Sequence, residues 1–250
     1  MNPVGLFCSN EYRVVTDEEW LQARKELFAA EKELTHHQDR VSELRRQLPW
    51  RRITKDYRFH TPTGEKSLAD LFEGRSQLLV YHFMYAPEWE AGCPGCSFGS
   101  DHFDGARLHI ENHDVKLLVV SRAPLETLLA FRKRMGWQFD WVSSNGSDFN
   151  FDFQASYTPD QIASGEIYHN WDMLKNKDPE HHGISVFAKN EAGEIFHTYS
   201  TYARGTDNIL GAHILLDMTP RGRNEGTTMD WVRLHDEYQQ KGETRHCCHS

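Results

Sequence analysis

Two cysteines three residues apart are the residues of this sequence most able to do chemistry. They stand in Cys93-Pro94-Gly95-Cys96, directly after the most apolar stretch of the chain, Gln77–Tyr85. Pro94 suits the first position of a helix, because its φ is already helical and its missing N–H has no intrahelical partner there. Cys93 is then the N-cap, where unpaired amides and the helix dipole stabilise a thiolate. We therefore predict that Cys93 is a nucleophile.

The second cysteine begins the apolar stripe of the helix that should follow. Steps of three and four residues connect Cys96, Gly99, Phe103, Ala106 and Ile110. An exposed thiolate beside a shielded thiol suits thiol–disulfide exchange, in which Cys93 attacks and Cys96 resolves the mixed disulfide. No organic cofactor is implied, because no glycine-rich phosphate loop follows a strand in the required way.

The same thiols suit a second chemistry, the binding of a soft metal such as zinc or copper. Two thiolates supply half of a tetrahedral zinc shell. The terminal cluster His246-Cys247-Cys248-His249 could supply the rest, but it follows a polar stretch at the end of the chain, and we interpret it as incidental. The role of Cys8 is open.

A long amphipathic helix precedes these elements. Thr16-Asp17-Glu18-Glu19 forms a capping box, and Pro49 ends the helix, so it should span residues 16–48. Its apolar seam repeats every 3.5 residues and comprises Trp20, Ala23, Leu27, Ala30, Leu34, His37, Val41, Leu44 and Leu48. Two interpretations stay open: a strap across its own domain, or an arm that forms a homodimer.

After Pro49 the pattern predicts short strands and helices in alternation. The expected elements are strand Arg52–His60, turn Thr61–Gly64, helical turn Ser67–Phe72, strand Gln77–Tyr85, helix Pro94–His113, strand Val115–Ser121, helix Pro124–Met135, strand Gln138–Val142, loop Ser143–Gly165, strands Gly183–Lys189 and Glu194–Tyr202, and helix Asp207–Leu216. The central β-α-β-α-β order predicts parallel pairing, and the last two strands form an antiparallel hairpin.

Composition limits the classes of partner. The chain has 250 residues and a net charge of -9 with neutral histidines, which argues against broad binding to nucleic acid or anionic membranes. No apolar run approaches the length of a membrane span, and the N-terminus lacks a secretory signal pattern. We therefore expect a cytoplasmic protein, where a close cysteine pair is redox-active or metal-binding.

Several segments carry a family resemblance. Phe59–Arg75 and the strand ending in Phe83 are similar to the opening of peroxiredoxin-like members of the thioredoxin superfamily. Gly92–Phe98, Arg134–Trp137 and His197–Gly205 resemble a largely uncharacterised bacterial family of predicted thioredoxin-like dithiol-disulfide oxidoreductases. The resemblance covers roughly residues 16–235.

The resemblance implies an α/β thioredoxin-like fold with a long N-terminal helix and a C-terminal extension. The implied division is an N-terminal segment over residues 1–49, a thioredoxin-like domain over 50–217, and an extension with a tail over 218–250. The implied partners are protein or small-molecule disulfides and thiols.

The sequence departs from the peroxiredoxin pattern before the first cysteine. Those proteins have Thr or Ser three residues before the reactive cysteine and Pro seven before it. Here Glu90 precedes Cys93 by three residues and Pro87 by six. Thiol-dependent peroxidase activity is therefore the alternative to disulfide exchange.

A second departure concerns the strand that faces the thiols in thioredoxins. Aligning their Gly-Ile-Pro with Gly183-Ile184-Ser185 puts Ser185 where they have a cis-proline. Because that proline keeps metals off the thiols, its replacement makes a site of Cys93, Cys96 and His182 the alternative metal-binding hypothesis.

Two further residues are candidates for supporting roles. His82 lies inside the strand before the motif and is either a hydrogen-bonded core histidine or a proton shuttle for the thiols. Trp89 lies just before the motif and serves as a substrate platform, as a rim over the helix start, or as both.

Overall fold

The computed structural model describes residues 12–240. The helices are α1 (Asp17–Arg46), α2 (Pro94–Glu111), α3 (Leu125–Met135), α4 (Phe149–Asp152), α5 (Pro159–Ala163) and α6 (Gly211–Asp217). The strands are β1 (Arg51–Ile53), β2 (Arg58–Thr61), β3 (Gly64–Ser67), β4 (Gln77–His82), β5 (Val115–Ser121), β6 (Asp140–Ser143), β7 (Glu166–His169), β8 (Asp172–Lys175), β9 (Gly183–Lys189) and β10 (Ile195–Tyr202). Short 3-10 helices span Asp70–Phe72, Ala203–Ile209 and His235–Gln240. Within the described range, no helix combines the length and apolar character of a membrane span.

The chain divides into two units between Leu48 and Pro49, whereas the predicted boundary near residue 217 stays a prediction. The first unit contains α1, whose predicted capping box is confirmed. Thr16 Oγ1 accepts a hydrogen bond from the Glu19 amide at 3.2 Å, and the Thr16 amide donates to Glu19 Oε2 at 3.1 Å. No residue of α1 is buried, and every member of the apolar seam except the half-buried Val41 is exposed.

The second unit contains a mixed sheet in the order β1-β10-β9-β4-β5-β6-β2-β3. Strands β4, β5 and β6 are parallel, as the β-α-β-α-β pattern predicts, and β9 joins β4 antiparallel. Strands β9 and β10 form the predicted antiparallel hairpin. A parallel βαβ core followed by an antiparallel hairpin is the expected α/β thioredoxin-like fold.

Each face of the sheet has its own apolar core. The thiol-side core lies under α2 and α3 and includes Tyr81, Phe83, Cys96, Phe103, Leu117, Val119, Leu128, Phe131, Trp141 and Ile184. The opposite core includes Tyr57, Phe59, Leu78, Val80, Leu118, Val120, Phe149, Phe153 and Phe187. Because side chains alternate along a strand, neighbouring residues of β4 contribute to different cores.

Two sequence predictions need correction. The predicted strand Arg52–His60 is two strands in opposite halves of the sheet, since β1 pairs with β10 and β2 lies between β6 and β3. The buried Tyr57 lies between them and packs edge-on against Phe149 at 5.2 Å. The predicted loop Ser143–Gly165 contains α4, which brings Phe149 into the opposite core, and α5, which begins with a capping box at Thr158. The β7–β8 hairpin was not predicted.

Candidate active site

The cysteine motif lies at the junction that the sequence predicts. Cys93 is the N-cap of α2 and Pro94 is in its first turn. The backbone of Met84, just beyond β4, contacts both cysteines: its carbonyl accepts from the Cys93 amide at 3.2 Å, and its amide donates to Cys96 Sγ at 3.4 Å. The loop passes so close to Phe83 that a Cβ on Gly92 would lie 2.7 Å from a ring carbon. Only glycine fits there without displacement of the ring.

Cys93 has the properties of an attacking thiolate. Its side chain is half-buried and its sulfur is free of any disulfide. The hydrogen bond from the Cys96 thiol, together with the N–H groups of Cys96 and Gly95, lowers the pKa of Cys93 from 9.0 to about 7, although burial acts in the opposite direction. About half of Cys93 is therefore thiolate near neutral pH.

Cys96 has the opposite character. It is only 2% exposed and belongs to the thiol-side core. Burial raises the pKa of Cys96 well above its ordinary value, and the neighbouring Cys93 sulfur raises it further. The two thiols are thus unequal: one is accessible and ionises readily, and the other is shielded and holds its proton.

The C-terminal segment approaches the motif, which the sequence did not predict. A Cβ on Gly95 would lie 3.5 Å from Met229 Cε and 3.7 Å from Cys93 Sγ. Met229 has a left-handed φ of 60°, and the next residue, Asp230, accepts hydrogen bonds from two backbone amides at 3.0 Å. Trp231 then packs edge-on against Phe98 of α2, with ring centroids 5.6 Å apart. The thioether of Met229 therefore covers one side of the helix start.

His82 and Ser185 are not brought to the thiols. His82 Nε2 and Ser185 Oγ are 2.9 Å apart, and both residues are fully buried. His82 also stacks on Phe149 at 5.5 Å, in the opposite core. His82 is therefore a hydrogen-bonded core histidine and not a proton shuttle for the thiols. Ser185 does not face the thiols as the aligned proline of thioredoxins does. The reason is strand alternation: Tyr81 faces α2, so its neighbour His82 faces away, and Ser185 faces the same way as His82.

The alternative metal site is not assembled either. His182 Nε2 lies 3.2 Å from Thr206 Oγ1 and 3.3 Å from the Ala203 carbonyl oxygen, so its ring nitrogen already has polar partners. Among residues 12–240, no three His, Cys, Asp or Glu side chains form a group that could hold a metal ion. The cluster His246–His249 and Cys8 lie outside the described residues.

The two remaining candidates lie beside the motif. Pro94 is exposed and begins α2, as predicted. Trp89 is half-buried and packs against the thiol-side core. Its backbone amide donates to the Ala86 carbonyl at 3.1 Å, which forms a turn before the motif.

Sequence reasoning missed Tyr81, which lies under Cys96. Its hydroxyl is near enough to the Cys96 sulfur to lower the pKa of that thiol, and the ring is only 3% exposed. Strand alternation puts Tyr81 and Phe83 on one face, but the sequence does not show that this face carries α2. The alternation that places Tyr81 is therefore visible in the sequence, but its proximity to Cys96 is not.

The chain is similar in part to several solved structures. It is 16% identical to peroxiredoxin Q of Xanthomonas campestris over 62% of this chain and 88% of that one, with a TM-score of 0.40. It is 11% identical to peroxidoxin BcpB of Mycobacterium tuberculosis over 66% of this chain and 94% of that one, with a TM-score of 0.39. It is 15% identical to a putative thiol-disulfide oxidoreductase of Bacteroides vulgatus over 66% of this chain and 97% of that one, with a TM-score of 0.38. Similarity at this level carries no information about the activity of the chain.

No curated protein matches the chain. Its family is shown instead by a family model that covers most of its length, from before α1 to the end of the packed C-terminal segment. That model, described as bacterial protein of unknown function (DUF899), matches residues 9–238, and the chain therefore belongs to this family.

Proposed function

We propose that the chain is a dithiol-disulfide oxidoreductase in which Cys93 attacks and Cys96 resolves. The observation that carries this proposal is the inequality of the two thiols. Cys93 is partly accessible and has a pKa of about 7, whereas Cys96 is buried and has a raised pKa. A pair with equal thiols would have no preferred order of attack.

The reaction balances without a cofactor. The Cys93 thiolate attacks a disulfide R–S–S–R′, forms the mixed disulfide Cys93–S–S–R and releases R′S⁻. Cys96 then loses its proton to solvent, attacks the Cys93 sulfur and releases RS⁻, which leaves a Cys93–Cys96 disulfide. The substrate gains two electrons and the protein loses two. An external dithiol reverses these steps and restores the reduced pair.

The substrate class is a protein or small-molecule disulfide. Cys93 is half-buried, so a disulfide reaches its sulfur from the side of the helix start where Pro94 is exposed. Trp89 packs against the same core as Cys93, and Met229 lies beside Gly95, so these large apolar side chains would contact the groups that flank the substrate disulfide. We assign them a substrate-contacting role in the proposed reaction.

The test is reduction of a model disulfide in the presence of a dithiol donor. Cys93→Ser should abolish turnover, and Cys96→Ser should accumulate a mixed disulfide at Cys93 that mass spectrometry detects. The matched control replaces Cys8, Cys247 and Cys248 by Ser together and should retain full turnover. Retained turnover in Cys93→Ser would refute the proposal.

The alternative activity, reduction of peroxide, predicts a different product. A peroxidase would consume hydrogen peroxide rapidly and would accumulate a sulfenic acid at Cys93 in the Cys96→Ser variant. We expect slow peroxide turnover and fast disulfide turnover. The reverse order of the two rates would make peroxide the substrate.

A further inference from the structure

The proposed reaction leaves one difficulty, which concerns the resolving thiol. Cys96 must become an anion to attack the mixed disulfide, yet it lies in the thiol-side core, where a bare charge is strongly disfavoured. Once Cys93 is in a mixed disulfide, its sulfur is neutral and donates no hydrogen bond to Cys96. The stabilising groups must therefore come from elsewhere in the fold.

Tyr81 supplies a polar group at this position. Its ring is embedded in the thiol-side core, with its centroid 5.1 Å from that of Phe103. Its hydroxyl reaches the first turns of α2, because a Cβ on Gly99 would lie only 3.5 Å from the oxygen. Gly99 is one turn beyond Cys96 on the same side of the helix. The lack of a side chain at Gly99 leaves room for the hydroxyl, and the Cys96 sulfur is close enough for each group to shift the pKa of the other.

A backbone donor reaches the same sulfur. The Met84 amide points at Cys96 Sγ with a nitrogen–sulfur distance of 3.4 Å. This donor comes from the backbone just beyond β4, whereas Tyr81 lies within β4. A backbone amide thus points at the buried sulfur and a phenol hydroxyl lies near it, an arrangement similar to the donors around a developing negative charge in an oxyanion hole.

We propose that the Tyr81 hydroxyl, together with the Met84 amide, holds the Cys96 sulfur as an anion during its attack on the mixed disulfide. This inference rests on the proposed function and assigns Tyr81 as a positioning residue for its second step. Tyr81 keeps its proton throughout, since burial and the adjacent sulfurs raise its pKa well above the ordinary value. Solvent accepts the Cys96 proton, and the phenol only donates a hydrogen bond.

The experiment separates the two steps with one reagent. An excess of the aromatic disulfide DTNB releases one coloured thiolate when Cys93 attacks and a second when Cys96 resolves. Cys8, Cys247 and Cys248 are replaced by Ser so that only Cys93 and Cys96 can release the coloured thiolate. In this background Tyr81→Phe should leave the first phase unchanged and slow the second about tenfold at neutral pH, with its pH midpoint moved upward.

The matched control is Tyr202→Phe. Tyr202 is also a buried tyrosine, but its hydroxyl donates to the Phe153 carbonyl at 2.8 Å, in the opposite core. This variant loses the same atom and should retain both phases. An equal slowing of the second phase in both variants would indicate a general loss of packing and would overturn the role of Tyr81.

The remaining outcomes are distinguishable. If the parent protein shows no fast first phase, the proposed function itself fails. If the first phase is fast and the second has the same rate and pH midpoint in Tyr81→Phe as in the parent, the inference about Tyr81 alone fails. Restoration of tyrosine at this position should restore the second phase.

A second measurement does not depend on the folding of Tyr81→Phe. In Cys93→Ser, NMR of carbon-labelled tyrosine should show the Tyr81 ring carbon that bears the hydroxyl shifting in step with the ionisation of Cys96. The shift should be too small for ionisation of the phenol itself. A Tyr81 signal that does not respond when Cys96 ionises would overturn the inference.

Discussion

Removal of the Cys96 thiol should raise the pKa of Cys93. The Cys96 hydrogen bond is the largest of the causes that lower this pKa from 9.0 to about 7. Hydrogen bonds to charged groups contribute about 1.5–3 kcal/mol, which corresponds to roughly one to two pKa units. Cys96→Ala should therefore move the pKa of Cys93 upward by about one unit or more, toward its ordinary value.

The assay is the pH dependence of alkylation at Cys93, followed by mass spectrometry of its peptide. The midpoint is a better readout than the rate at one pH, because a thiolate of higher pKa is also a stronger nucleophile and partly offsets its lower population. Cys96→Ser keeps a hydroxyl donor and should shift the midpoint less than Cys96→Ala. An unchanged midpoint in Cys96→Ala would refute the assigned cause and leave only the start of α2 to lower the pKa.

Three further predictions concern stability and assembly. Gly92→Ala should lower the free energy of unfolding by about 1–3 kcal/mol, because its Cβ would overlap aromatic rings. Gly105→Ala, in open space within α2, should raise the free energy of unfolding by about 0.5–1 kcal/mol. Denaturant titration measures both changes. Thr16→Ala removes the N-cap of α1 and should speed amide hydrogen exchange in its first turn, with a loss of about 1 kcal/mol. If the exposed seam of α1 forms the proposed homodimer, Leu27→Glu with Leu34→Glu should yield a folded monomer by light scattering, and a wild-type monomer would contradict it.

The features that depend on local order were predictable from the sequence. The start of α1 follows from its capping box, and the start of α2 follows from Pro94 after Cys93. The parallel strands and the β9–β10 hairpin follow from the order and length of apolar segments. These predictions succeed because helix caps, turns and periodicities are set by residues a few positions apart.

Which side chains surround the thiols depends on contacts between distant parts of the chain. Alternation in β4 requires Tyr81 and His82 to face opposite ways, but only the packing of α2 shows that Tyr81 reaches Cys96 while His82 bonds to Ser185 in the opposite core. The approach of Met229 to the motif is equally non-local, since Met229 lies 133 positions after Cys96 in the sequence. Local periodicity assigns a residue to one face of its element but does not identify the element that packs on that face, because that choice depends on contacts between distant parts of the chain.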